Sequence, residues 1–500
     1  MNETPKTKSG WRNPRRVLIS LAVLATLIAI FYAEEDWRGK RAWENCKREL
    51  EAKRMVLDWD RFIPPPVPDD QNFFKAPKMQ KWFVKLNKPP TEPYTNELRT
   101  LGTNANSVAV IEDKKVAASY LAWSDQFQCD FDLIREALKR PYARMDGDYS
   151  QPFEIPIPNF VGVRALAQVL AQRTKCYLLL GQPEKAMREL TLMHDMCRIL
   201  ERPPTGKPIT PVEAMINVAI TGLYANTIAD GLQKHTWQEP QLAALQEQLK
   251  KINLSPTVAG AFKMELAGST RTFETHPAYK LAGLFKLVDL VSGGASASKK
   301  TKAGAFGWLL KNPMYLFLNL APRGWWYQNL ANCAAYESKS LDGFDLEHDT
   351  LSPRAFDEVT HNLNQFLDHK SPFNLMASVA VPNIAKATLT LARNQTMVNE
   401  GQIACALERH RLAHGEYPET LDALVPQFIE QLPHDIIGGQ PLHYRRTEDP
   451  PSQSSGAASG KFLLYSIGWN ETDDGGQVAL KKDGSEDREK GDWVWQYPLK

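Results

Sequence analysis

The residues best suited to chemistry lie near the C-terminus, in the run Ser466-Ile467-Gly468-Trp469-Asn470-Glu471-Thr472-Asp473-Asp474-Gly475-Gly476. Calcium takes about six to eight hard oxygens at flexible distances, and a glycine-bounded acidic turn after a strand can wrap several around one ion. Asn470, Asp473 and Asp474, with Ser466 and backbone carbonyls, are therefore the candidate ligands, and calcium the candidate cofactor. The alternative is a plain solvated turn, because water screens two neighbouring aspartates effectively. No residue is nominated as catalytic.

Other constellations carry less. His410 and His414 lie four apart near a helix end, but Arg411 stands where a zinc-binding HExxH needs its glutamate, and Arg409 adds repulsion; a solvated helix end is the better account. His194, Asp195 and Cys197 share one helix at spacings that do not make them face one another. Gly294, Lys299, Lys300 and Thr301 approach a phosphate loop without its second glycine or a strand to feed it. Carboxylates are too numerous to nominate an acid pair, although a cleft with a closely spaced, desolvated pair would mark one. Six cysteines are scattered singly with no CxxC, which argues against a zinc ribbon or a thioredoxin-type site.

The elements that must position these groups follow from length and charge. A chain of 500 residues exceeds one ordinary core, and about three units are expected. The net charge of +2, with acids interleaved among bases, excludes the concentrated basic face of a nucleic-acid binder. The exception is the N-terminus, where Lys6, Lys8, Arg12, Arg15 and Arg16 precede an uncharged, mainly aliphatic run at 17–33, and Glu34, Glu35 and Asp36 follow it. About 17 residues span roughly 26 Å, at the short end of what crosses a bilayer core. The charge asymmetry makes 1–16 a cytoplasmic tail, 17–33 a single transmembrane anchor, and the rest an exported body. Phe31 and Ala33 form a poor cleavage site, which favours an uncleaved anchor over a signal peptide, with a buried or interfacial helix as the third reading.

Residues 34–112 read as a charged helix and a Pro-rich arm beginning at Pro64-Pro65-Pro66-Val67-Pro68, where proline removes donors and restricts its neighbours. From 113 to 382 the periodicity is helical: 163–180, a stop and restart at Gly181-Gln182-Pro183, then 184–200, 212–232, 241–252 and 258–266, packed as a bundle. Gly181, Ala186 and Leu190 resemble half a tetratricopeptide signature, but no second copy follows at the period of about 34 residues, so an ordinary helical hairpin is expected. The apolar stretch 306–327 is interrupted by Lys311, Pro313, Pro322 and Arg323 and reads as core packing.

Residues 383–500 form a further unit. Ile384, Leu391, Val398, Cys405 and Leu412 recur every seven residues along a helix that stops at Gly415, with one seam position apolar, so one long helix lying across a small sheet is expected. A Tyr417-Pro418 turn, a short helix at 419–424, a Pro433-His434-Asp435 loop, and strands at 442–445 and 462–466 around a polar tip at 448–460 complete it. This order, ending in Ser466-Ile467-Gly468 and the acidic glycine loop, resembles the globular part of the major pseudopilins of type II secretion systems, over about residues 395–480. The resemblance implies a calcium-holding loop at Ser466, Asn470, Asp473 and Asp474. It departs in two ways: no Gly-Phe-Thr-Leu-x-Glu motif precedes the helix, and Lys386, Arg393 and Asn394 bar its first half from a membrane. Over most of its length the chain also resembles large membrane-anchored bacterial envelope proteins that end in a tail like Gly491-Asp492-Trp493-Val494-Trp495, a likeness that brings no activity with it.

The expected class is α+β, mostly α, with a transmembrane helix, a helical bundle and a pseudopilin-like helix-plus-antiparallel-sheet domain. The expected role is an envelope interaction or assembly protein, anchored in a bacterial inner membrane with its bulk in the periplasm, and bound to a protein partner there. A periplasmic hydrolase with a carboxylate site in the helical domain, or a small-ligand carrier, is the alternative.

Overall fold

A computed structural model describes residues 14–84, 111–152, 155–201, 210–275, 320–369, 371–374, 382–447 and 461–495. The described residues are mostly helical, at 64 %, with small antiparallel sheets. The polar tip 448–460 and the basic loop 292–305 lie outside the described residues. Two compact units are present: Met1–Met55 with Thr272–Ala335 and Phe366–Val379, and Val56–Arg271 with Tyr336–Gln365 and Ala380–Lys500. The segment 383–500 thus falls in the same unit as the helices of 113–271.

Helix α1 (Pro14–Ala52) joins the apolar run and the charged stretch after it in one rod of 39 residues, about 58 Å long. Residues 15–34 are exposed on every side, Leu18, Leu24 and Leu27 among them. Among the described residues α1 is the one helix long and apolar enough to cross a membrane.

The larger unit opens with the Pro-rich arm, which Asn72, Arg140 and Arg144 hold down. The Asn72 amide donates to the Arg144 carbonyl (2.8 Å), and its Oδ1 accepts from the Phe74 and Arg144 amides (3.2 and 3.0 Å). This local bonding replaces the donors that proline lacks. It seats Phe73 and Phe74, and Met79, Trp82 and Phe83 of the short α2 (Met79–Phe83), in the core.

Helices α3 (Lys114–Ser124), α4 (Gln128–Ala137), α5 (Phe160–Leu179) and α6 (Pro183–Glu201) follow. Asp113 caps α3 by accepting from the Lys115 and Val116 amides, and Asn159 caps α5 over Gly162, each satisfying donors a helix start leaves open. Gly181, at φ +70°, closes α5: the Gln182 amide reaches the Tyr177 carbonyl (2.8 Å) and the Gly181 amide reaches Leu178 (3.0 Å). The predicted hairpin is there. A Thr210 and Glu213 capping box opens α7 (Pro211–Gln233), and α8 (Glu239–Lys250) and α9 (Ser255–Thr275) extend the bundle.

After α10 (Arg323–Leu341), the strand pair β1 (Phe344–Asp345) and β2 (Thr350–Leu351), and α11 (Pro353–Asp368) comes α12 (Pro382–His414). Leu391, Val398 and Cys405 are fully buried, but so are nearly all residues between them, because α7, α8 and strands of the C-terminal sheets all pack on α12. A helix lying over a sheet would leave its far side wet. One apolar core runs from the arm through α5, α6, α7 and α8 to Leu464 and Trp495.

The expected short helix at 419–424 is a single 3-10 turn, Leu421–Leu424. Strands β3 (His443–Thr447), β4 (Lys461–Ser466) and β7 (Trp493–Val494) form an antiparallel sheet in the order β3-β4-β7, with His443 opposite Tyr465 and Ser466 opposite Trp493. A separate hairpin pairs β5 (Val478–Leu480) with β6 (Glu486–Gly491).

In the smaller unit α1 crosses the start of α10 at Gly39 and Gly324, where a methyl on either glycine would overlap the backbone of the other helix. Farther along, the Cys46 thiol donates to the Ala331 carbonyl (3.5 Å) and the Trp43 indole to Glu274 (3.1 Å).

The bundle is tied at one guanidinium. Arg173, on α5, is wholly buried and donates to Ser124 (2.6 Å), Asp125 (2.9 Å), Gln128 (3.1 Å), Tyr177 (3.0 Å) and Glu189 (3.2 Å). Glu189→Leu leaves that cation with Asp125 as its remaining contact charge and is expected to destabilise the protein by about 3–5 kcal/mol. Adding Arg173→Met to Glu189→Leu is expected to recover part of the loss, because both buried charges are then gone. Urea unfolding midpoints test this, and a double variant weaker than Glu189→Leu alone would contradict it.

Candidate functional site

Strand β4 ends at Ser466, and the chain turns through the acidic loop to β5. Gly468, at φ +68°, lies against the Gly491 carbonyl where no side chain fits, and Gly476, at φ +82°, lies against Leu463. Trp469 pins the loop from inside. Its ring stacks on Phe356 (5.9 Å) and its indole donates to Asp357 of α11 (3.1 Å).

Of the four predicted ligands, two are brought into contact: Asn470 Nδ2 lies 3.0 Å from Asp474 Oδ2. Asp473 is engaged elsewhere, with Oδ1 accepting from the Gly475 amide (2.9 Å) and the Tyr465 hydroxyl (3.1 Å), and His443 Nδ1 3.5 Å from Oδ2. The Gly475 amide and the Tyr465 hydroxyl hold its carboxyl below the usual range. Ser466 is buried, accepting from the Gly468 amide (3.1 Å) and hydrogen-bonded to Asp435, so its hydroxyl is committed to the turn. Among the described residues, no three carboxylate, imidazole or thiol groups are arranged to hold a metal ion. The oxygens are of the right chemical type for calcium, but in this arrangement they do not converge on one point.

Two aspartates outside the predicted set organise the loop. Asp492, fully buried, accepts from the Asp474 amide (3.2 Å) and the Gly476 amide (2.6 Å). Asp435, also buried, accepts from the Ile437 amide (3.0 Å) and the Ile467 amide (3.2 Å). Burial pushes both carboxyls up while these amides oppose it, and Asp474 and Asp473 push Asp492 further. In the sequence, an aspartate beside a glycine or after Pro-His signals a turn, not a partner for a distant loop.

The histidine pairs carry no metal geometry. His410 and His414 stack on each other (4.2 Å), with their Nδ1 atoms on the Glu416 and His410 carbonyls. His194 meets Asp195 (3.1 Å).

A second constellation was not legible in the sequence. Glu337, on α10, is 6 % exposed; burial first, and the charge of Glu265 on α9 second, push its carboxyl up to about 8. Its Oε2 has no hydrogen-bond partner among the described residues. Burial raises Glu265 as well. Glu337 therefore keeps its proton in the fold while the unfolded chain releases it above about pH 4.5. Stability is then full below that pH and falls as pH rises towards 8, by about 5 kcal/mol in total. Glu337→Gln is expected to match wild type near pH 5, exceed it at pH 8 and flatten the profile. Denaturant midpoints across this window check it; a flat wild-type profile would contradict it.

No family model matches this chain, and neither does any curated protein or any solved structure.

Proposed function

We propose that the protein is an interaction or assembly component of a bacterial cell envelope, anchored by α1 in the inner membrane and holding its folded body in the periplasm for a protein partner. The observation that carries the reading is α1, whose residues 15–34 are apolar in the main and exposed on every side. A bilayer is the solvent in which such a surface is stable. Arg12, Arg15 and Arg16 before the run, against Glu34, Glu35 and Asp36 after it, support the orientation. An exported reporter fused after Asp60 is expected to be active, and the chain to stay with membranes through alkaline extraction. Leu24→Asp, at about 3 kcal/mol against insertion, is expected to release it. Reporter activity on the cytoplasmic side alone would refute the orientation, and extraction of wild type the anchor.

The acidic loop is proposed to bind calcium through Asn470, Asp473 and Asp474, with Ser466 holding the turn. Support comes from the crowding of Asp473 and Asp474 around Asp492, which a divalent cation would relieve. For a weak extracellular-type site, ten-fold excess over Kd adds roughly 1.4 kcal/mol. The full chain is expected to melt higher in millimolar calcium than in chelator, and Asp473→Ala with Asp474→Ala to remove the difference. Equal melting of wild type in both, with no binding heat, leaves a plain turn.

A further inference from the structure

We infer that the end of α1 and the start of α10 form an aromatic collar seated in the headgroup layer of a phospholipid bilayer, setting the depth of the smaller unit. The inference rests on the anchor reading of α1. The uncharged run is roughly 26 Å long against a hydrocarbon core of about 30 Å. A bilayer that thins locally to match the run has its hydrocarbon edge near Ala33, which brings Tyr32, Glu34, Glu35 and Asp36 to the boundary. Ionised groups are expensive there unless they are satisfied by the protein.

The start of α10 satisfies two of them. Glu35 is buried, accepting from the Trp325 indole (2.8 Å) and from Arg38 (3.0 Å), and Asp36 accepts from the Gly324 amide (2.8 Å). The Tyr32 hydroxyl donates to the Leu320 carbonyl, and the Phe31 ring meets Trp325 edge-on at 6.3 Å. The crossing of Gly39 and Gly324 leaves no room for a side chain between the helices, so α10 is held close against α1 at this level.

What this joint presents outward fits a lipid interface. Trp37 is 60 % exposed with the Arg41 guanidinium 5.3 Å above its ring, and Leu320 is also 60 % exposed. Tryptophan and tyrosine concentrate at the headgroup level, where an apolar ring and a polar edge are both accommodated, and arginine reaches from there to phosphate. From Tyr32 to Trp37 the helix rises about 8 Å, comparable with one headgroup layer. The patch lies at the end of the lipid-facing run of α1, which makes the bilayer its occupant and not a second protein.

The test uses the full chain labelled with fluorotryptophan in phospholipid nanodiscs. Trp37→Phe and Trp325→Phe each delete one fluorine resonance and so assign it. Both resonances are expected to be lost to broadening when the lipid carries a nitroxide on its headgroup, and to survive when the nitroxide is at the acyl-chain end. Full intensity with headgroup label, in discs that hold the protein, overturns the collar and leaves the anchor standing. A chain that does not enter the discs overturns the anchor and the collar together. In Gly39→Leu, Trp37 is expected to stay broadened while Trp325 regains intensity; an unchanged Trp325 would show that the glycine crossing does not hold it in place.

Discussion

The larger unit depends on α12 being buried nearly all round. From 391 to 408 every position is buried except Gln402. A helix with no wet face has no amphipathic stripe to set its rotation, so apolar contact alone leaves that rotation underdetermined. Directional bonds choose it. The Asn394 amide donates to Val218 of α7 (2.8 Å), Gln395 accepts from Leu254 (2.9 Å) and donates to Ile252 (3.3 Å), and Asn399 donates to His434 (2.9 Å). Near its end Glu408 binds His235, Arg411 and Tyr417; burial works against its charge, but Arg411 and His235 hold it down to about 2. Each such bond contributes about 1 kcal/mol net, and an orphaned partner costs about 1–3. The penalty for a wrong rotation is therefore larger than the reward for the right one.

That asymmetry explains which features were legible beforehand. Helix ends are local: Gly181, Pro183 and Gly415 act within a turn of themselves, and the hairpin and the end of α12 stand where those residues put them. Strand β4 was readable for the same reason. The surroundings of α12 were not. A seven-residue repeat reports one apolar stripe, and Asn394, Gln395 and Asn399 look like solvent-facing residues until α7 and the His434 turn supply their partners. The crossing of α1 and α10 turns on Gly39 and Gly324, two of 29 glycines, and nothing local distinguishes them.

The acidic loop shows the same division within a single site. Its donors were readable by type, since Asn470, Asp473 and Asp474 lie together in the chain. Their directions were not, because Tyr465, His443 and Asp492 reach them from the sheet. Asp492 arrives from the position just before β7, the strand that pairs beside β4, so the closure of the sheet shapes the loop together with the loop's own bonds.

The buried carboxyls separate into two kinds, and the difference marks where charge remains available. Asp435, Asp492 and Glu408 are supplied with amide, hydroxyl or guanidinium donors, so their burial builds structure. Glu337 and Glu400 are not: Oε2 of Glu337 and both carboxyl oxygens of Glu400 lack a hydrogen-bond partner among the described residues. Arg393 lies 3.7 Å from Glu400 but closer, at 3.3 Å, to Glu486. Burial first, with Asp435 and Glu486 adding to it against Arg393, drives Glu400 well above the usual carboxylate range. Glu400 thus sits inside a fully packed stretch of α12 without the donors that Asp435, Asp492 and Glu408 have, and the cation nearest it is shared with Glu486. The acidic loop lies outside that interior, and its Asp473 and Asp474 stand on a turn that Asp492 and Tyr465 hold in place.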